Sequence, residues 1–172
     1  GGTIRAMKRN LSLPIFAILA AVAVAAIVLP ARPARAEVGI GLFVGQPTGL
    51  DVKLDLQRRT ALDIVVGWKD FDDDGRDGYA HVTFLVNLGN ARGRSVVVPF
   101  RVGIGGAVWD RGGDFGDDVN LAVRAPFEVG LRFRRTPLEI YGELALVLVL
   151  LDEHGNEDNV DADGGVGLRV YF

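Results

Sequence analysis

The chain contains no cysteine, which excludes disulfides, thiolate metal sites, a cysteine nucleophile and a lipid-modified cysteine anchor. Its histidines number two, and its only serines are Ser12 and Ser95, so nucleophile and base chemistry has few carriers. After Ala36 no long helical hydrophobic period occurs, so helices are not expected to build the core. Basic residues are also in deficit. Five of the 19 precede Glu37, leaving 14 against 22 acidic ones and a net charge near −8, a balance that argues against nucleic acid as a partner. What is abundant is apolar and small: 49% of the residues are hydrophobic and 23 are glycine, a composition that folds.

The one long hydrophobic run, Leu11 to Pro30, follows Lys8 and Arg9 and leads to the small-x-small triplet Ala34, Arg35, Ala36. This order predicts a secretory signal peptide over 7–36 with cleavage before Glu37. Residues 1–6, upstream of Met7, read as an extension or tag, and 37–172 as a single exported domain. An uncleaved anchor is the alternative, because about 20 apolar residues can cross a bilayer.

From Glu37 onward the pattern has period two, in stretches bounded by Gly, Pro, Asn and Asp. Eight strands are expected, at about 38–45, 50–56, 61–68, 79–88, 96–109, 121–134, 138–151 and 164–172. Each has two faces. Val123, Phe127, Val129, Leu131 and Phe133 alternate with Arg124, Glu128, Gly130, Arg132 and Arg134, and Leu138, Ile140, Leu144 and Leu146 alternate with Glu139, Tyr141 and Glu143. The connections alternate as well. QRRT, GNARGRS and RTP are short and flanked by arginines, whereas KDFDDDGRDG, RGGDFGDDVN and 152–163 are long and acidic. In an up-and-down meander this sends the long loops to one end and the short turns to the other, only QPTG being short at the long-loop end.

Alternation alone fits a soluble barrel with its apolar face inside or a membrane barrel with that face outside. Three features favour lipid. The polar face is rich in glycine (Gly39, Gly41, Gly103, Gly105, Gly130, Gly165, Gly167), which makes room for large side chains inside a narrow eight-stranded barrel. That face is close to charge balance, as buried charges must be. Aromatic residues on the apolar face fall near strand ends, Trp68 at one and Phe100, Phe133 and Phe172 at the other, where interfacial girdles lie. The expected fold is therefore all-β, an eight-stranded antiparallel up-and-down transmembrane barrel closed by its first and last strands, since lipid leaves no solvent for open sheet edges.

The stretches GIGLFVGQPTGLDVKL (39–54), VVPFRVGIGG (97–106), VRAPFEVGLRF (123–133) and LEIYGELALVL (138–148) resemble a family of small bacterial outer-membrane barrels classed as a domain of unknown function, with OmpA/OmpX-like eight-stranded architecture. The resemblance covers most of 37–172 and is most specific in GQPTGL and VRAPFEVGLRF. It implies the bacterial outer membrane, outer-membrane lipid and lipopolysaccharide as surroundings, a monomer, and no activity. It also implies that the terminal Tyr171 and Phe172 form a sorting signal read by the barrel-assembly machinery.

Candidate chemistry is sparse, and no enzymatic activity is expected. Ser95 lies in a short turn and His81 near the opposite strand end, so they cannot form a dyad. Thr83, two residues from His81, reads as its neighbour in a lumen hydrogen-bond network. Lys53, Asp63, Arg101, Glu128, Arg132, Glu139, Glu143 and Arg169 are expected to form a lumen ion-pair network that rigidifies the barrel. Asp70, Asp72 and Asp74 with Gly75 match the first half of an EF-hand loop, but position twelve is His81 and no flanking helices are expected. These aspartates are therefore a candidate for a weak Ca²⁺ or Mg²⁺ site, with Asp161 and Asp163 among the residues that could extend it, against the simpler reading of a solvated acidic loop. No other cofactor is expected. The alternatives are a soluble periplasmic lipocalin-like barrel carrying an apolar ligand and a narrow ion-conducting barrel.

Overall fold

The computed structural model describes residues 37–72, 75–110, 119–151 and 160–172, with side chains at all of these except 70–72, 75–77 and 151. The expected signal segment 7–36 lies outside them. Eight strands follow in chain order: β1 (Val38–Gln46), β2 (Thr48–Gln57), β3 (Thr60–Asp72), β4 (Gly75–Arg92), β5 (Val96–Asp110), β6 (Val119–Phe133), β7 (Leu138–Leu151) and β8 (Val160–Tyr171). Each pairs antiparallel with its neighbours, and β1 pairs with β8 from Gly39↔Tyr171 to Gln46↔Gly164, so the sheet is a closed barrel. The all-β meander read from period two is therefore present.

Two stretches expected as loops are strand instead. Most of KDFDDDGRDG belongs to β3 and β4, which run on to the pair Asp72↔Gly75 beyond an irregularity after Lys69, and β8 begins at Val160 and takes in Asp161 and Asp163. Acidic residues lower strand propensity, but hairpin pairing already fixed by the neighbouring apolar positions carries the ladder through them.

The β5–β6 ladder is interrupted twice. Its register passes from Val97↔Arg132 to Phe100↔Val129, and from Val102↔Phe127 to Gly105↔Arg124. Continued through the gaps, it would set Pro99 against Gly130 and Pro126 against Gly103. Proline has no N–H to give, so the same seam loses a donor at both places.

The faces are sorted with charge inside. Asp51, Thr83, Glu128, Glu139 and Arg169 are wholly buried, while Leu144 is 71% exposed and Leu146 65%. Outward positions on every strand carry large exposed apolar side chains, among them Ile40, Leu50, Val66, Phe84, Ile104, Phe127, Leu148 and Val166. The interior is not uniformly polar, as the alternation had suggested. Phe43, Val65 and Tyr141 form one buried apolar cluster, and Tyr79, Ala107, Trp109, Ala122 and Val147 form another. Each cluster is built on aromatic rings, Phe43 and Tyr141 in the first and Tyr79 and Trp109 in the second, and a glycine across the strands receives the first pair. Gly167 pairs with both Phe43 and Tyr141, and a Cβ there would overlap the Tyr141 ring.

Candidate functional site: a charged lumen open at the short-turn end

The lumen is organised around Arg169 on β8, whose guanidinium uses all three nitrogens. Nε donates to Asp51 Oδ2 at 2.5 Å, Nη1 to Glu128 Oε2 at 2.8 Å and Nη2 to Asp63 Oδ1 at 2.8 Å. These acceptors come from β2, β6 and β3, so one side chain ties four strands across the barrel. The guanidinium also lies 3.6 Å from the centre of the Tyr141 ring, whose hydroxyl donates to Asp51 at 2.5 Å. A planar cation over an aromatic face, with a carboxylate at every fork, compensates the loss of its water.

Toward the short-turn end, Arg101 Nη1 donates to Glu139 Oε1 at 2.6 Å and to Glu128 Oε1. Tyr171 donates to the other oxygen of Glu139, and Lys53 Nζ donates to the Tyr171 hydroxyl at 3.2 Å and pairs with Asp55 at 3.0 Å. Toward the long-loop end, Arg124 gives Nη2 to Glu143 at 2.5 Å and Nη1 to His81 Nε2 at 2.7 Å and Thr83 Oγ1 at 3.2 Å. Lys69 pairs with Asp163 and, at 3.1 Å, with Asp161.

The expected network residues thus divide. Lys53, Asp63, Arg101, Glu128, Glu139, Glu143 and Arg169 lie inside, and all but Glu143 are joined by contacts that run through Arg101, Tyr171 and Arg169. Glu143 binds Arg124. Arg132 joins from the edge: it sits partly exposed at the rim, stacked on Tyr171, pairs with Glu37, and reaches the network through Asp55, which it shares with Lys53. Its place near the end of β6 puts it one layer below Glu128, where solvent reaches. Asp51, Arg124, Tyr141 and Lys69 complete the interior contacts and were not picked out for it from sequence. Asp51 and Arg124 were visible as polar-face residues, and Tyr141 as an inward position beside Glu139 and Glu143.

Neither His81 nor Thr83 is arranged as a base and nucleophile. An arginine only donates, so both accept from Arg124, and the proton of His81 resides on Nδ1. Ser95 lies in the turn between β4 and β5. The proposed cation residues fare differently from one another. Asp70 and Asp72 lie in the irregular outer part of β3, their side chains lie outside the described residues, and Asp74 lies outside them altogether. Asp161 and Asp163, expected to extend the acidic rim, already receive Lys69. The carboxylates of Asp63, Glu128 and Glu143 do offer oxygens within 4.8 Å of one another. Each of them, however, is bonded to Arg169, Arg101 or Arg124, so a metal there would meet guanidinium groups.

Tyr171 and Phe172 end the closing strand on opposite faces, Tyr171 buried at 5% exposure and Phe172 outward at 77%. At the same end a cavity of about 640 Å³ opens between the turns, lined by Lys53, Asp55, Arg58, Arg59, Arg101 and Arg132 with other residues. No family model matches the chain, and no curated protein and no solved structure matches it.

Proposed function

We propose that the protein is a transmembrane β-barrel of the bacterial outer membrane, without enzymatic activity, serving as a structural or surface-interaction barrel whose lumen is filled by side chains. One observation carries this reading: the inward face holds buried arginines, two lysines and carboxylates, while the outward face exposes leucine, isoleucine, valine and phenylalanine across the eight strands. Monomeric soluble proteins rarely expose apolar patches beyond a few hundred Å², and a soluble carrier of an apolar ligand needs an apolar interior. Closure without a free edge is what a hydrocarbon environment demands. With short turns facing the periplasm, the acidic connections would meet lipopolysaccharide, divalent cations or an extracellular partner.

The two tryptophans provide the test. Trp68 faces outward at 42% exposure and Trp109 faces inward at 4%. In bilayers containing brominated lipid, the Trp109→Phe variant, which keeps Trp68, should be strongly quenched, and the Trp68→Phe variant should retain most of its emission. Equal emission from Trp68 in brominated and ordinary lipid would overturn the membrane reading.

A further inference from the structure

We propose that the short-turn mouth of the barrel is a binding site for a phosphate-type anion, gripped between Lys53 and Arg101 on the floor and Arg58 and Arg59 at the lip. The inference needs the barrel and its mouth, but not the membrane placement proposed above. The cavity there, about 640 Å³, falls within the size range of small-molecule sites.

Its floor is made of cations with donors to spare. Lys53 is 1% exposed and Arg101 5%, and both line the cavity. The Lys53 ammonium has three donors and two partners, Tyr171 and Asp55. Among the described residues Arg101 hydrogen-bonds through Nη1 alone, to Glu128 and Glu139, although a guanidinium carries five N–H groups. Because both residues line the cavity, we infer that their further N–H groups are open to a ligand in it.

At the lip, Arg58 and Arg59 occupy the turn between β2 and β3, exposed and in ion pairs with no carboxylate among the described residues. Five cations line the cavity against two carboxylates, Glu37 and Asp55. Glu128 and Glu139 stand behind Arg101 and offset part of that charge, but neither lines the cavity. Ala61, Leu85, Val97 and Pro99 share the rest of the wall with the neutral polar Gln57, Thr60, Asn87 and Asn90, and its apolar stretches concentrate the field of the cations between them. A carboxylate offers two oxygens in one plane. A phosphate is tetrahedral, with three free oxygens in a monoester and two flanked by ester oxygens in a diester, so its acceptors point out of any one plane, which suits guanidinium forks at the lip and an ammonium on the floor.

Two sources carry this chemistry, a free phosphate ester and a phospholipid headgroup folded in from the rim. The test uses the full chain refolded in a phosphate-free amine-oxide detergent and titrated in parallel with glycerol 3-phosphate, by calorimetry, and with micelle-borne phosphatidylglycerol, by the amide NMR shifts of Arg58 and Arg59. Saturable binding of glycerol 3-phosphate assigns the site to free esters, and binding of the lipid alone assigns it to headgroups. In either case the R58Q/R59Q variant should bind about tenfold more weakly. The R134Q/R135Q variant, which alters rim arginines outside this cavity, should change affinity by less than about twofold. The proposal fails if neither ligand saturates, or if both double variants lose affinity equally, which is the behaviour of a diffuse positive rim.

Discussion

Glu128 receives two arginines from different strands, Arg101 through one carboxylate oxygen and Arg169 through the other, and it stands directly opposite Glu143 in the β6–β7 register. Two like charges so placed repel unless each has its own cation, which Arg124 provides for Glu143. Replacing Glu128 by leucine would take one carboxylate from each of two guanidinium groups, leaving Arg101 to Glu139 and Arg169 to Asp51 and Asp63. A loss of about 2–3 kcal/mol is expected, below that of a fully unpaired buried charge, read as a lowered urea midpoint in micelles, with Glu128→Gln between the parent and the leucine variant. At this scale the sequence told which residues face inward but not which of them meet. Alternation within one strand is enough to place Glu128 and Arg169 on the polar face. Partners such as Arg169 and Asp51, 118 positions apart, depend on the width of the barrel and the stagger of all its strands. Tyr141 and Tyr171 escaped notice as network members for a related reason: an inward tyrosine reads as filler until its hydroxyl is seen to reach Asp51 or Glu139.

The strands differ in how completely they are sewn to one another. The β7–β8 register runs unbroken from Leu138↔Val170 to Leu148↔Val160, whereas β5 and β6 skip the positions around Pro99 and Pro126. Amides of β5 and β6 that face each other are therefore expected to exchange with solvent deuterium faster than those of β7 that face β8. Equal protection along both seams, measured by NMR, would show that the missing donors are compensated. The existence and order of the strands were legible because every one carries the period-two pattern over several residues. Their outer ends were not. Asp70, Asp72, Asp161 and Asp163 look like loop residues by composition, yet β3 and β8 include them, because cross-strand pairing outweighs the preference of a single residue. The two proline gaps could have been suspected from Pro99 and Pro126 alone, but that both open on the same seam follows only from the register.

Across the whole molecule, the contents of the lumen bear on transport. Eight strands leave an interior about as wide as its side chains, and here Arg169, Tyr141, Phe43, Trp109 and Arg124 occupy it. Planar-bilayer recordings of the purified protein are expected to show no resolvable steps of conductance, and steady single-channel openings would contradict a filled lumen. Charge is graded along the axis as well, with exposed Arg58, Arg59, Arg92, Arg94, Arg134 and Arg135 at the short-turn end and most acidic residues in the sequence of the opposite connections. The pairing of Gly39 with Tyr171 has a temporal meaning. The two ribbons that seal the cylinder are made first and last, so until the final one emerges each partial sheet exposes two unpaired borders, either of which could capture another chain. Such a fold has no sealed form short of eight strands, and all of them must be made before its architecture can begin to protect it.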